Sequence, residues 1–197
     1  MPQIDPQKNI SFYYNFTSKF FESDNNSKGE FYCCENGDNL FILAPSEGLT
    51  RDANNSEDYN ELSYVLLYQT SGKKIIFAGD SGQKTWDYIL EKYKVLVSNV
   101  DVLLAPHHGR KTGENDNYLD ILKPKLTLFG NAESVHLDYN SWNNRNLRKL
   151  TNNEAGTIVL DIKDDNIRVY IANEIYAMKF KDYEGIRTNY GYYIGNV

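Results

Sequence analysis

The chain has 197 residues, 41% of them hydrophobic and 24% charged, which suits a single globular unit with a core of its own. With 27 acidic against 21 basic residues the net charge is −6. That argues against a broad duplex-DNA footprint, which needs a basic face, but leaves room for a nuclease whose metals neutralise phosphates locally. No run of about 18 apolar residues is present. Residues 1–8 lack the basic-then-apolar plan of a secretory signal. The only two cysteines, Cys33 and Cys34, are neighbours whose side chains would face opposite sides of a strand. The expectation is a reduced, cytoplasmic protein with no membrane segment.

Residues 1–29 read as an N-terminal arm, polar with aromatics at Phe12-Tyr13-Tyr14 and Phe20-Phe21. Residues 30–34 and 39–44 are short apolar runs around an Asn36-Gly37 turn signal, a hairpin pattern. Residues 45–58 read as a polar loop. Runs 63–69 and 73–78 form a second hairpin through Thr70-Ser71-Gly72. Trp86, Ile89, Leu90 and Tyr93 then recur at helical spacing within 84–93. A buried strand over 100–105 runs into Pro106-His107-His108-Gly109. The pattern continues with a helix over 118–122 stopping before Pro124, a strand over 126–129, and a loop holding His136. Ser141 is placed to cap a helix through Leu150. Residues 157–162, 167–171 and 175–180 read as strands, and the Tyr- and Gly-rich tail 182–197 has no clear pattern. This mix predicts an α+β domain over residues 30–181.

Chemistry-bearing residues fall where strands end. Asp80 follows the run 73–78 between Gly79 and Gly82, and His107-His108 follow the run 100–105. His136 follows the next predicted strand, so all three histidines of the chain lie in loops after strands. Carboxylate and imidazole are ligands that Zn²⁺, Mn²⁺ or Fe accept. The plainer reading makes Asp80 a turn residue and the histidines hydrogen-bonded structural groups. Arg110 and Lys111 read first as a solvated loop pair. No phosphate-cradling glycine loop is present, Ser81 lacks the G-x-S-x-G setting of a nucleophile elbow, and Cys33-Cys34 has no histidine near it in sequence.

The segments Asp58-Tyr59-Asn60-Glu61-Leu62-Ser63, Ile75-Ile76-Phe77-Ala78-Gly79-Asp80 and Val100-Asp101-Val102-Leu103-Leu104-Ala105-Pro106-His107-His108-Gly109 together resemble the metallo-β-lactamase superfamily. The nearest branch is the hydrolase-like domain of ComEC-type DNA-uptake proteins, with its Asn-x-x-Ser, "GD" and "HHG" segments in this order. The likeness spans roughly residues 30–175. It implies an αββα sandwich with a zinc, manganese or iron site. Asp80 would bridge metals, His107, His108 and His136 would stand among the ligands, and Asp80 and His108 would carry catalysis. Arg110 and Lys111 would hold a phosphate oxygen. The family's HxHxDH motif is missing, since no histidine precedes His107.

The expectation is therefore the C-terminal half of a metal-dependent phosphodiester hydrolase. A partner polypeptide or a second copy would supply the N-terminal half. The alternative is a degenerate relative that binds a partner without catalysis.

Overall fold

The computed structural model describes residues 31–33, 39–163 and 165–197. The expected arm at 1–29 and the Asn36-Gly37 turn lie outside the described residues.

Two short hairpins begin the main sheet. β1 (Phe31–Cys33) pairs antiparallel with β2 (Asn39–Ala44), as the apolar runs suggested. β2 pairs with β3 (Val65–Thr70), and β3 with β4 (Lys73–Phe77). The β3–β4 connection is Ser71 and Gly72, with φ of 46° and 71°. Two successive positive φ values make a tight turn whose twist matches the strands it joins. From β4 onward the sheet is parallel: β4, β5 (Val102–Leu104), β6 (Leu126–Phe129) and β7 (Lys149–Thr151) lie side by side in chain order. A buried carboxylate sets this register. Asp101 accepts from the Lys74 backbone N–H at 2.8 Å and from Lys125 Nζ at 2.7 Å, tying the starts of three parallel strands.

Strand alternation gives the sheet two apolar faces. Leu67, Ile76 and Leu103 face a helical layer, α2 (Gln83–Tyr93), α3 (Tyr118–Leu122) and α4 (Tyr139–Asn143), packing with Trp86, Ile89, Leu119, Leu122 and Trp142. Full burial of such a side chain contributes roughly 1.5–3 kcal/mol. Ile75, Val102, Leu126 and Leu150 face a second sheet, in spatial order β10 (Arg187–Thr188), β11 (Gly191–Asn196), β9 (Asn166–Ile171) and β8 (Ile158–Lys163). The segment from Asp182 onward, unplaced by its sequence, thus carries β11, whose Tyr192 and Ile194 enter the core between the sheets. The described residues form three layers, helices on sheet on sheet, a mixed α+β architecture.

Three local expectations change. Residues 45–58 hold a helix, α1 (Glu47–Ser56), capped by Ser46, whose hydroxyl accepts from the Leu49 N–H at 3.2 Å. Only Leu49 and Ala53 of α1 are buried, so its polar composition hid a one-stripe helix. Ser141 sits inside α4 rather than at its start. Asp138 is the cap, accepting from the Ser141 N–H at 3.2 Å, and the chain then leaves the helix to pair as β7. The run 175–180 contains a helical turn, α6 (Glu174–Ala177), capped by Asn173. Tyr176 and Phe180, four residues apart, meet edge to face, a helical spacing inside an apolar run too short to show its period. A last short helix, α5 (Asn152–Ala155), joins β7 to β8. Among the described residues no helix is long and apolar enough to cross a membrane.

Candidate functional site

The parallel strands β4, β5 and β6 end side by side, so the loops that follow them converge at one edge of the sheet, where open sheets bind ligands. The first loop carries Asp80, the second His107 and His108, the third His136. Backbone hydrogen bonds stitch them together. The His107 N–H donates to Gly79 O at 2.9 Å, Gly130 N–H to His108 O at 3.1 Å, and Lys111 N–H to His136 O at 2.9 Å. Arg110 and Leu137 form an antiparallel bridge.

Local sequence explains each placement. Gly79 has φ of 57° and its Cα lies against Ser63, whose Oγ accepts from the Asp80 N–H at 3.0 Å. The serine of the Asn-x-x-Ser segment thus seats Asp80, and its asparagine, Asn60, lines the cleft beside it. His107, His108 and Gly109 hold φ of 48°, 60° and 81° in succession. Two consecutive non-glycine residues in the left-handed region cost on the order of 1–3 kcal/mol each, and such strain concentrates at functional sites. Glycine is required at 109, where a Cβ would stand 2.8 Å from the Phe129 ring. Gly130 leaves room for His108, whose Nδ1 would lie 2.5 Å from a Cβ there.

The loops enclose an open cleft of about 510 Å³, lined by Asp80, His107, His136, Arg110 and Lys111 together with Asp58, Asn60, Thr112 and Glu114. His108 Nε2 stands 3.5 Å from Asp80 Oδ1, beyond an ordinary hydrogen bond. His136 Nε2 is 3.8 Å from Glu133. All four expected site residues therefore lie on the stitched loops. Asp80, His107 and His136 share the cleft, and His108 stands beside Asp80. Of the cleft residues, Asp58, Thr112, Glu114 and Gly82 were not singled out as candidates in the sequence. Asn60 and Asp58 carried a signal through the Asn-x-x-Ser segment, whereas Thr112 and Glu114 lie in a polar stretch with no pattern.

Beneath the cleft a buried glutamate organises the Asp80 loop. Glu61 accepts from the Lys84 N–H at 3.1 Å, the Thr85 N–H at 2.8 Å and the Thr85 hydroxyl at 2.6 Å. Its carboxylate caps the start of α2, and Gly82 leaves room for it. On the far side of the loop 110–117, Ser141 Oγ lies 2.5 Å from Asp116 Oδ2 and 2.6 Å from Asp138 Oδ2. One hydroxyl proton serves only one of the two carboxylates. Burial pushes the Asp116 carboxyl up, and the Asp138 charge adds to this against the Ser141 hydrogen bond. Burial also acts on Asp138, but donors from Ser141 and Asn140 outweigh it and hold that carboxyl below its usual range.

No family model matches the chain, and no curated protein sequence does either.

The resemblance implies a metal, and the donor set tests the fit. A catalytic zinc takes three protein ligands and a water. Among the described residues no group of three or more His, Cys, Asp or Glu side chains is arranged to hold a metal ion. Asp80 and His108 offer one pair of donors. The described residues do not by themselves fit a complete metal centre.

Proposed function

We propose that this chain supplies the substrate cleft and a partial ligand set of a metallo-β-lactamase-like hydrolase of phosphodiesters. Its remaining metal ligands come from outside the described residues. The observation that carries this reading is the gathering of Asp80, His107 and His136 around one cleft, on three consecutive strand-end loops stitched by backbone hydrogen bonds, with His108 3.5 Å from Asp80. In this reading Arg110 and Lys111 hold the anionic ester, Asp80 and His108 stand at the reacting end, Ser63 holds the Asp80 backbone, and Gly130 leaves room for the His108 ring. Arg110 and Lys111 are the two cations of a cleft that also holds Asp58, Asp80 and Glu114, and an anionic ester would be held at their end of it.

The test is elemental analysis of the purified full chain beside Asp80→Ala, with hydrolysis of bis(p-nitrophenyl) phosphate assayed in added Zn²⁺, Mn²⁺ or Fe²⁺. Near-stoichiometric metal that Asp80→Ala loses, with ester cleavage, is the expected result. A chain that holds no metal and cleaves no ester would sink the hydrolase reading. A second reading, a degenerate relative that binds a partner without turnover, is favoured by the lack of a three-donor group among the described residues. It predicts a stable chain without ester cleavage, in which Asp80 and His107-His108 are remnants or hold one structural metal.

A further inference from the structure

A small chamber lies beside the cleft, between the first turn of α2 and the Pro106-His107 segment, with a volume of about 20 Å³. It shares His107, Arg110, Thr112 and Glu114 with the cleft wall. Three polar atoms of residues that line it, Ser81 Oγ, Gln83 Oε1 and Trp86 Nε1, are buried and have no hydrogen-bond partner in the protein. Ser81 is 3% and Trp86 2% exposed. Buried polar groups in folded proteins are almost always paired, so three orphans around one chamber call for a common partner.

Neither Gln83 nor Trp86 is free to turn away. The Trp86 indole is stacked on Tyr118 at 4.5 Å between centroids. The Gln83 amide is anchored by Nε2, which donates to Asp87 Oδ1 at 2.8 Å. Flipping that amide would set its oxygen against a carboxylate, so Oε1 keeps its buried orientation.

We infer that the chamber is a hydration site holding one water molecule, which accepts from Trp86 Nε1, donates to Gln83 Oε1 and exchanges its remaining bond with Ser81 Oγ. One donor, one acceptor and one hydroxyl match the two donors and two acceptors of water. The volume suits a single water, which needs about 10–15 Å³ and two to four polar partners. The water ties Ser81, in the loop after β4, to the first turn of α2. This inference is independent of the proposed hydrolase activity.

The chain carries its own reference. It has two tryptophans, and the other, Trp142, donates its Nε1–H to Thr127 Oγ1 at 2.9 Å. Water-to-indole cross-relaxation in ¹⁵N-labelled full-length protein is expected at the Trp86 N–H and not at the Trp142 N–H. Signals at both indoles, or at neither, overturn the site. Trp86→Phe keeps the ring on Tyr118 and removes the donor. With a bound water the variant loses a hydrogen bond and its urea midpoint falls. Around a dry chamber it sheds an unmet donor, and a midpoint equal to or above wild type overturns the inference. Should Trp86→Phe not fold, Ser81→Ala reads the same sign.

Discussion

His107 donates its backbone N–H to the carbonyl oxygen of Gly79 at 2.9 Å, so the loops after β4 and β5 are joined within a few residues of leaving their strands. This backbone bond brings Asp80 and His108 side by side, with their side chains 3.5 Å apart. Crowding His108 is expected to break that approach. A Cβ at residue 130 would stand 2.5 Å from His108 Nδ1, and Gly130→Ala should displace the imidazole and cost about 1–3 kcal/mol. Urea unfolding measures the cost, and the His108 imidazole chemical shifts report the displacement.

Glu61 should matter more than its distance from solvent-facing chemistry suggests. Its carboxylate takes three donors from Lys84 and Thr85. Glu61→Ala leaves those buried donors unmet and is expected to destabilise by about 1–3 kcal/mol. Glu61→Gln keeps one acceptor oxygen and should cost less. Differential scanning calorimetry of the two variants gives the order.

Arg110 and Lys111 make a prediction about ligand affinity. Each is exposed, and an exposed charge contact is worth roughly 0.2–1 kcal/mol. Arg110→Ala or Lys111→Ala should weaken binding of a phosphate diester by about two- to fivefold, with the loss shrinking as salt rises. Isothermal titration at two ionic strengths checks both the size and the salt dependence. Unchanged affinity in the double variant would remove these residues from the ligand site.

Alkaline pH should loosen the second sheet's flank. Burial, helped by the neighbouring Glu154 carboxylate, pushes the Tyr176 phenol from near 10 up to about 12. A raised folded-state value means that the contribution is complete below pH 10 and is lost as pH climbs towards 12. Wild type should therefore lose stability over that window more steeply than Tyr176→Phe. Chemical-denaturation midpoints at pH 9, 10 and 11 read the difference.

Regular periodicity was legible where burial enforced it. The hairpin through Ser71-Gly72, the helix with Trp86 and Ile89, and the strand over Leu126–Phe129 all appear where the sequence places them, because each buries a full face. The misses share one physical cause. α1 buries two side chains, α6 is a single turn, and β7 interrupts a stretch whose cap signal pointed to a longer helix. In each, a few tertiary contacts outweigh local pattern. The strand-end positions of Asp80 and the histidines could be read, since strand followed by glycine is a local signal. The stitching of the loops could not, because it uses backbone atoms that every residue carries. The Ser81, Gln83 and Trp86 chamber had no sequence signal, as its three members are ordinary residues of a helix start.

The placement of β11 has a bearing on how the protein is made. This strand runs from Gly191 to Asn196 yet lies between β9 and β10, inside the second sheet. During synthesis the main sheet, complete by Thr151, has to wait for it. Until residue 196 emerges from the ribosome, Leu126, Leu150, Val169 and Ile171 lack the Tyr192 and Ile194 side chains that cover them. At a translation rate of roughly 5–20 residues per second that interval lasts several seconds, long compared with hairpin formation. A chain stalled short of Gly191 would therefore leave part of this apolar cluster uncovered.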